Sequence, residues 1–176
     1  MFLLAALALG GCGQQGPSPT RDPAPQARAV ASGLDATARA FVELTIATDD
    51  QALKLLDLGA SRAASPGLRA FAGSLATDRR TELSELHALL GSTPYVNNHE
   101  GHDMPGMPTE AELIALPAAP DFDTEFVRLT RAHLTESTTV AKSGADNVRD
   151  EPTKALATRM LQERGEALQE LDTLPR

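Results

Sequence analysis

Cysteine is nearly absent from this sequence: among 176 residues only Cys12 carries a thiol. An internal disulfide, a thiolate metal cluster and a cysteine nucleophile in the body of the chain are thereby excluded. Tryptophan is missing, tyrosine occurs once, and aromatic residues make up 3% of the chain, so an aromatic stacking platform for nucleic-acid bases is not expected. Basic residues are outnumbered, 16 against 24 acidic ones, for a formal net charge of -8. Without a basic stripe, no nucleic acid is expected as a partner, and attraction to anionic lipid head groups has no support. Alternating strand patterns are absent as well. The apolar run that opens the chain is shorter than the roughly 20 residues a transmembrane helix needs.

That opening run reads Met1-Phe2-Leu3-Leu4-Ala5-Ala6-Leu7-Ala8-Leu9-Gly10-Gly11-Cys12, the length of a signal-peptide core. No Lys or Arg precedes it. Leu9-Gly10-Gly11-Cys12 resembles a bacterial lipobox, in which cleavage leaves the cysteine as a lipidated first residue. Residues 1–12 are therefore expected to be a signal peptide with its lipobox, and Cys12 the lipidation site. Lipid chains there would anchor the protein to the membrane without a transmembrane helix, with the domain on the extracytoplasmic side of the bacterial envelope. Residues 13–33, rich in Gly, Pro, Ala and Gln, have little to bury and read as a flexible tether.

Residues 34–176 suit one domain. Leu34 to Leu58 reads as a helix, because Phe41, Leu44, Thr45, Thr48, Ala52, Leu55 and Leu56 form one inward stripe. Gly59 to Ser65 is the expected turn. Ser65-Pro66 is a helix start signal, and the second helix runs to Gly91. A central loop over 91–120 includes a short helix opened by the capping box Thr109-Glu110-Ala111-Glu112 and closed by Pro117. A third long helix is expected from about Asp121 to Ser143-Gly144, and a fourth from Asp150-Glu151-Pro152. Phe41-Val42-Glu43-Leu44-Thr45 matches Phe126-Val127-Arg128-Leu129-Thr130 at a constant offset. Pro66-Gly67-Leu68-Arg69-Ala70-Phe71-Ala72 echoes Pro152-Thr153-Lys154-Ala155-Leu156-Ala157 with one residue dropped. The fold class is all-α: a four-helix bundle built from two duplicated helical hairpins. Similar helix pairs can exchange between chains, so a homodimer stays open.

The chemistry concentrates in the central loop. Gly101-His102-Asp103-Met104-Pro105-Gly106-Met107-Pro108 places an imidazole, a carboxylate and two thioethers where Pro and Gly forbid regular helix. Asn97, Asn98, His99 and Glu100 precede it. Imidazole and thioether together suit copper, and Cu(I) is satisfied by two or three soft ligands. His102, Met104, Met107 and His99 are thus candidate metal ligands; the plainer reading is a connector whose methionines plug apolar gaps. His133 shares the stripe of Phe126 and faces the bundle, either as a ligand or as a buried imidazole bonded to Thr130, Thr48 or a backbone carbonyl. Asp49 and Asp50 read as a solvated acidic pair sooner than as oxygen ligands, and His87 as a surface residue. Glu-x-x-His pairs of a di-iron bundle are absent. Nor does any nucleophile, base and orienting group fall into a readable array, so the chain is not expected to be an enzyme.

The two hairpins and the loop resemble the family known as domain of unknown function 305, a ferritin-like group of helical bundles, over about Ala36 to Leu174. The family pattern carries Phe, then a Met-Ile-x-His-His run, then Ala and Met on one helix. Here the first copy has Phe41, Thr45-Ile46-Ala47-Thr48-Asp49, Ala52 and Leu55. The second has Phe126, Thr130-Arg131-Ala132-His133-Leu134, Ser137 and Val140, so His133 alone survives from the paired histidines. A later Gln-x-x-Glu-Ile-x-x-Met pattern appears as Arg79, Glu82-Leu83 and Leu86, with no secure register around Glu163, Arg164 and Glu166. His102, Met104-Pro105-Gly106-Met107 and the acidic helix start at Thr109 match the family's central motif. The resemblance implies copper binding or tolerance, with His102, Met104 and Met107 carried over and His133 open. The expected function is an envelope-anchored copper-binding protein for buffering or delivery of the ion. The alternative is a non-catalytic scaffold or partner-binding lipoprotein that has lost the metal site.

Overall fold

The computed structural model describes residues 33–99 and 102–174. The signal, lipobox, Cys12 and nearly all of the tether lie outside the described residues, as do Glu100 and Gly101. The described chain is all-α, with α1 over Ala36–Arg62, α2 over Pro66–Leu90, α3 over Glu110–Ala115, α4 over Phe122–Asn147 and α5 over Glu151–Thr173. One 3-10 turn, Leu116–Ala118, follows α3. Each helix starts on a side-chain cap that satisfies an otherwise unpaired backbone N–H. Asp35 accepts from Ala38 N at 2.8 Å, Asp121 from Thr124 N at 3.0 Å and Asp150 from Thr153 N at 3.0 Å. Ser65 caps α2 ahead of Pro66. At α3 the capping box is complete in both directions, Thr109 Oγ1 accepting from Glu112 N and Glu112 Oε2 from Thr109 N.

α1 packs along α2, and α4 along α5; the two hairpins meet chiefly where α1 faces α4. The expected stops at Gly59 and Gly144 are overrun: α1 continues to Arg62 and α4 to Asn147. Both glycines serve instead as contact points. A Cβ on Gly59 would lie 2.3 Å from Phe126 Cε2, and one on Gly144 would lie 2.5 Å from Phe41 Cε2. Each hairpin thus presses its phenylalanine onto the glycine of the other. The cost of a mid-helix glycine, about 1 kcal/mol, is offset by burying a whole aromatic ring.

This reciprocity also corrects the repeat register. The offset from Phe41 to Phe126 separates Gly59 from Gly144, the cap Ser65 from the cap Asp150, and Arg79 from Arg164. No residue is dropped between the copies; the two prolines hold neighbouring, not equivalent, positions. Apolar residues form two clusters. One surrounds Leu55, Leu68, Phe71, Phe126 and Leu129, the other Phe41, Ile46, Leu86, Leu156 and Met160. Between them lies a layer of buried polar and charged side chains. No helix among the described residues is long and apolar enough to cross a membrane.

Candidate functional site

Two arrangements hold the chemistry-bearing residues. The first is a cleft of about 780 Å³ between α1 and the central connection. α1 contributes Ala47, Gln51 and Lys54; the loop contributes Asn97, His99, His102, Asp103 and Met107; the start of α3 closes it with Glu110. Short-range bonds shape the loop. Asn97 Oδ1 accepts from His99 N at 3.0 Å, His102 N donates to the His99 carbonyl at 3.0 Å, and Met107 N to the Met104 carbonyl at 3.1 Å. Lys54 Nζ stands 3.5 Å from Glu110 Oε2, and Gln51 Nε2 donates to the same oxygen at 3.4 Å. His99, His102 and Met107 therefore share one cavity, with two imidazoles and a thioether. Met104 is half-buried and does not line it. By donor type these residues fit Cu(I), although among the described residues no three His, Asp or Glu side chains converge into an ion-holding group.

The second arrangement is the buried layer. Asp49, Arg79, Glu82, His133 and Arg164 are all buried. Arg164 Nη2 donates to Glu82 Oε1 at 2.7 Å and to Asp49 Oδ1 at 3.3 Å, while its Nη1 reaches Glu82 Oε2 at 3.2 Å. Arg79 Nη1 donates to Glu82, and Arg79 Nε is 3.9 Å from Asp49 Oδ1. Burial alone would raise the Glu82 carboxyl, but Arg164 and Arg79 outweigh it and hold the pKa down at about 2. Asp49 goes the other way: burial, then the neighbouring Glu82 charge, push it well above the usual carboxylate range despite both arginines. The difference follows from geometry, because the guanidiniums make their shorter bonds to Glu82.

Asp49 is thus an interior carboxyl pushed toward its neutral form and not part of a solvated face; Asp50 beside it is exposed, as is His87. The helix periodicity puts Asp49 on the inward stripe three residues after Ile46, and the two arginines make its burial tolerable. His133 is buried too, with Nε2 4.0 Å from Asp49 Oδ1 and no hydrogen-bond partner there. Neither threonine considered for it bonds to the ring: Thr130 Oγ1 has no hydrogen-bond partner and Thr48 Oγ1 donates to the Thr45 carbonyl. Burial, then Arg79 and Arg164, depress the His133 pKa to about 3. The structure therefore separates His133, inside the bundle, from His99, His102 and Met107 in the outer cleft.

The arginine pair was the feature least visible beforehand. Both arginines sit on apolar stripes, Arg79 between Leu75 and Leu83 and Arg164 four residues after Met160. Once the offset is held constant through both hairpins they fall at equivalent positions, and that coincidence is the signal.

A ferritin-like helical bundle with duplicated hairpins is the class this architecture defines. Residues 38–174 match the model of the family described as "Domain of unknown function (DUF305)". The chain belongs to that family. Three solved structures share the fold. A DUF305 fragment from Deinococcus radiodurans is 21% identical with a TM-score of 0.70, covering 79% of this chain and 95% of its own. CopM in the Cu(II)-bound form is 20% identical with a TM-score of 0.67, covering 77% and 93%. A DUF305 protein from Streptomyces coelicolor is 20% identical with a TM-score of 0.68, covering 76% and 89%. No curated protein matches the chain.

Proposed function

We propose that this chain is a non-catalytic copper-binding protein of the bacterial envelope, held at the membrane by lipid on Cys12 and serving to buffer or deliver the ion. The observation that carries the reading is the shared cleft of His99, His102 and Met107. Two imidazoles and a thioether form a donor set suited to Cu(I), and Met104 lies within the same turn to supply a second thioether. The Cu(II)-bound CopM structure adds support, since a bundle of the same fold holds copper. Export is supported by the apolar opening run and by the Streptomyces relative, which is described as a secreted protein.

The test is an anaerobic Cu(I) titration of the full chain against a competing chelator. Saturable binding that is lost when His102, Met104 and Met107 are all replaced by Ala is the expected result. Binding no tighter than that of the triple variant overturns the copper reading. A scaffold or partner-binding role would then be favoured, and one feature already points that way: Arg79 and Arg164 fill the bundle interior with fixed cations, which repel a metal ion from that position.

A further inference from the structure

Met104-Pro105-Gly106-Met107 is a tight turn. The Met107 N–H donates to the Met104 carbonyl at 3.1 Å, proline takes the second position, and Gly106 holds φ +72 at the third, the pattern of a type II turn. That left-handed angle is one reason for glycine. A second reason lies across the gap. A Cβ on Gly106 would stand 2.4 Å from Glu136 Cβ, 2.6 Å from Glu136 Cγ and 2.8 Å from the Ala132 carbonyl oxygen, all on α4. Neither the carbonyl nor a Cβ of a packed helix can swing aside, so the turn rests on α4 with no side chain between them. Four residues on, the chain is tied to α1, where Glu110 Oε2 accepts from Gln51 Nε2 at 3.4 Å and stands 3.5 Å from Lys54 Nζ. The stretch from Gly106 to Glu110 is therefore a strap from α4 to α1. Met107 lies on it beside the first tie and lines the cleft with His99 and His102. The two ties are unequal. The Lys54 and Glu110 side chains are 58% and 67% exposed, and an ion pair so solvated contributes little, whereas the steric seat at Gly106 is not screened by water.

We propose that Gly106 is the positioning residue of the loop site: its lack of a Cβ lets the Met104–Met107 turn seat directly on α4, and that seat sets where Met107 presents its thioether to the cleft. This rests on the reading of the central loop as the copper site, so the test includes a readout that needs no metal. Full-length Gly106→Ala and Gly106→Asn are compared with the native chain by hydrogen exchange at the Met107 amide without metal, by Cu(I) affinity against a competing chelator, and by far-UV circular dichroism. The two substitutions separate the two demands on Gly106. Asparagine tolerates the left-handed angle better than alanine does, but both carry the Cβ that meets α4.

In both variants Met107 exchange should accelerate and Cu(I) affinity should weaken, each by roughly tenfold, the scale of one overpacked contact, with the helical signal intact. Unchanged Met107 exchange in Gly106→Ala overturns the proposal. Recovery of exchange and affinity in Gly106→Asn to within about threefold of the native chain also overturns it, because the backbone angle and not the approach to α4 would then be what glycine supplies. Faster exchange with native Cu(I) affinity shows that the seat does not set the ligand and counts equally against it. So does loss of the helical signal, which would make Gly106 a support of the bundle and not of the turn. If the native chain binds no Cu(I) while Met107 exchange responds as expected in both variants, the seat on α4 is supported and the copper reading alone fails.

Discussion

Arg164→Met places an apolar side chain of similar length where a guanidinium now serves two buried carboxylates. Arg164 gives Glu82 hydrogen bonds of 2.7 and 3.2 Å and Asp49 longer ones of 3.3 and 3.5 Å, with no solvent reaching any of the three side chains beyond a few percent. Removing one partner of such a buried set leaves charge uncompensated and costs about 3–5 kcal/mol. Asp49 has an escape, since its carboxyl is already pushed toward the protonated form, and Arg79 still holds Glu82. The lower end, about 3 kcal/mol, is therefore expected. For a domain of this size that lowers the melting midpoint by roughly 6–12 °C. Urea unfolding at neutral pH, followed by far-UV circular dichroism, measures it, with Arg80→Met as control. The Arg80–Asp57 pair, at 2.6 Å, is half-exposed and should be worth less than about 1 kcal/mol. The double variant Arg164→Met with Glu82→Leu removes one charge of each sign and leaves Arg79 beside Asp49. It should lose clearly less than the two single losses added together. An Arg164→Met loss no larger than that of the control, or strict additivity in the double variant, refutes the claim that the layer acts as one coupled unit.

The interlocking of hairpins makes Gly59→Ala and Gly144→Ala unfavourable, although alanine is the better helix former. The added Cβ meets Phe126 or Phe41 at 2.3 or 2.5 Å, so each substitution should cost about 1–3 kcal/mol by overpacking, and a stabilised variant would contradict the close crossing. Acid should weaken the fold from below about pH 6.5. The folded His133 stays neutral down to about 3 against an ordinary value of 6.5, so the unfolded chain takes up a proton the folded one refuses. Stability is then lost as pH falls, at about 1.4 kcal/mol per pH unit for one proton. Glu82, held at about 2 against 4.5, adds to the loss at lower pH. Asp49, raised instead, takes its proton in the folded state before the unfolded chain does, so at pH above its ordinary value of 3.8 it offsets part of the His133 loss. Unfolding titrations of His133→Asn between about pH 6 and 5 should show a flatter slope than the native chain, and an unchanged slope would assign it to other groups.

The helices were legible because their signals are local. The Ser65, Thr109, Asp121 and Asp150 caps and the prolines beside three of those starts act within one turn, and the inward stripes need only a 3.6-residue period. Misread were Gly59 and Gly144, where a glycine that looks like a stop is required by an aromatic ring from the other hairpin. Asp49 was misread for a related reason. An acidic residue on an apolar stripe becomes a reasonable interior group only when Arg79 and Arg164 arrive from other helices. His133 was placed inward by periodicity, but its setting beside Asp49, Arg79 and Arg164 could not be named, since those groups arrive from three other helices.

Composition and periodicity by themselves determined that this chain is an all-α duplicated bundle, with its soft donors gathered in the central loop, because those properties depend on residue types and their spacing along one helix. Only the tertiary structure decided that the bundle centre is a salt-bridged layer, that His99, His102 and Met107 share a cleft, and that His133 lies inside the bundle beside Asp49. Those facts depend on which helices face each other and at what depth, and the free energy of a buried charge is set by partners that are distant in sequence.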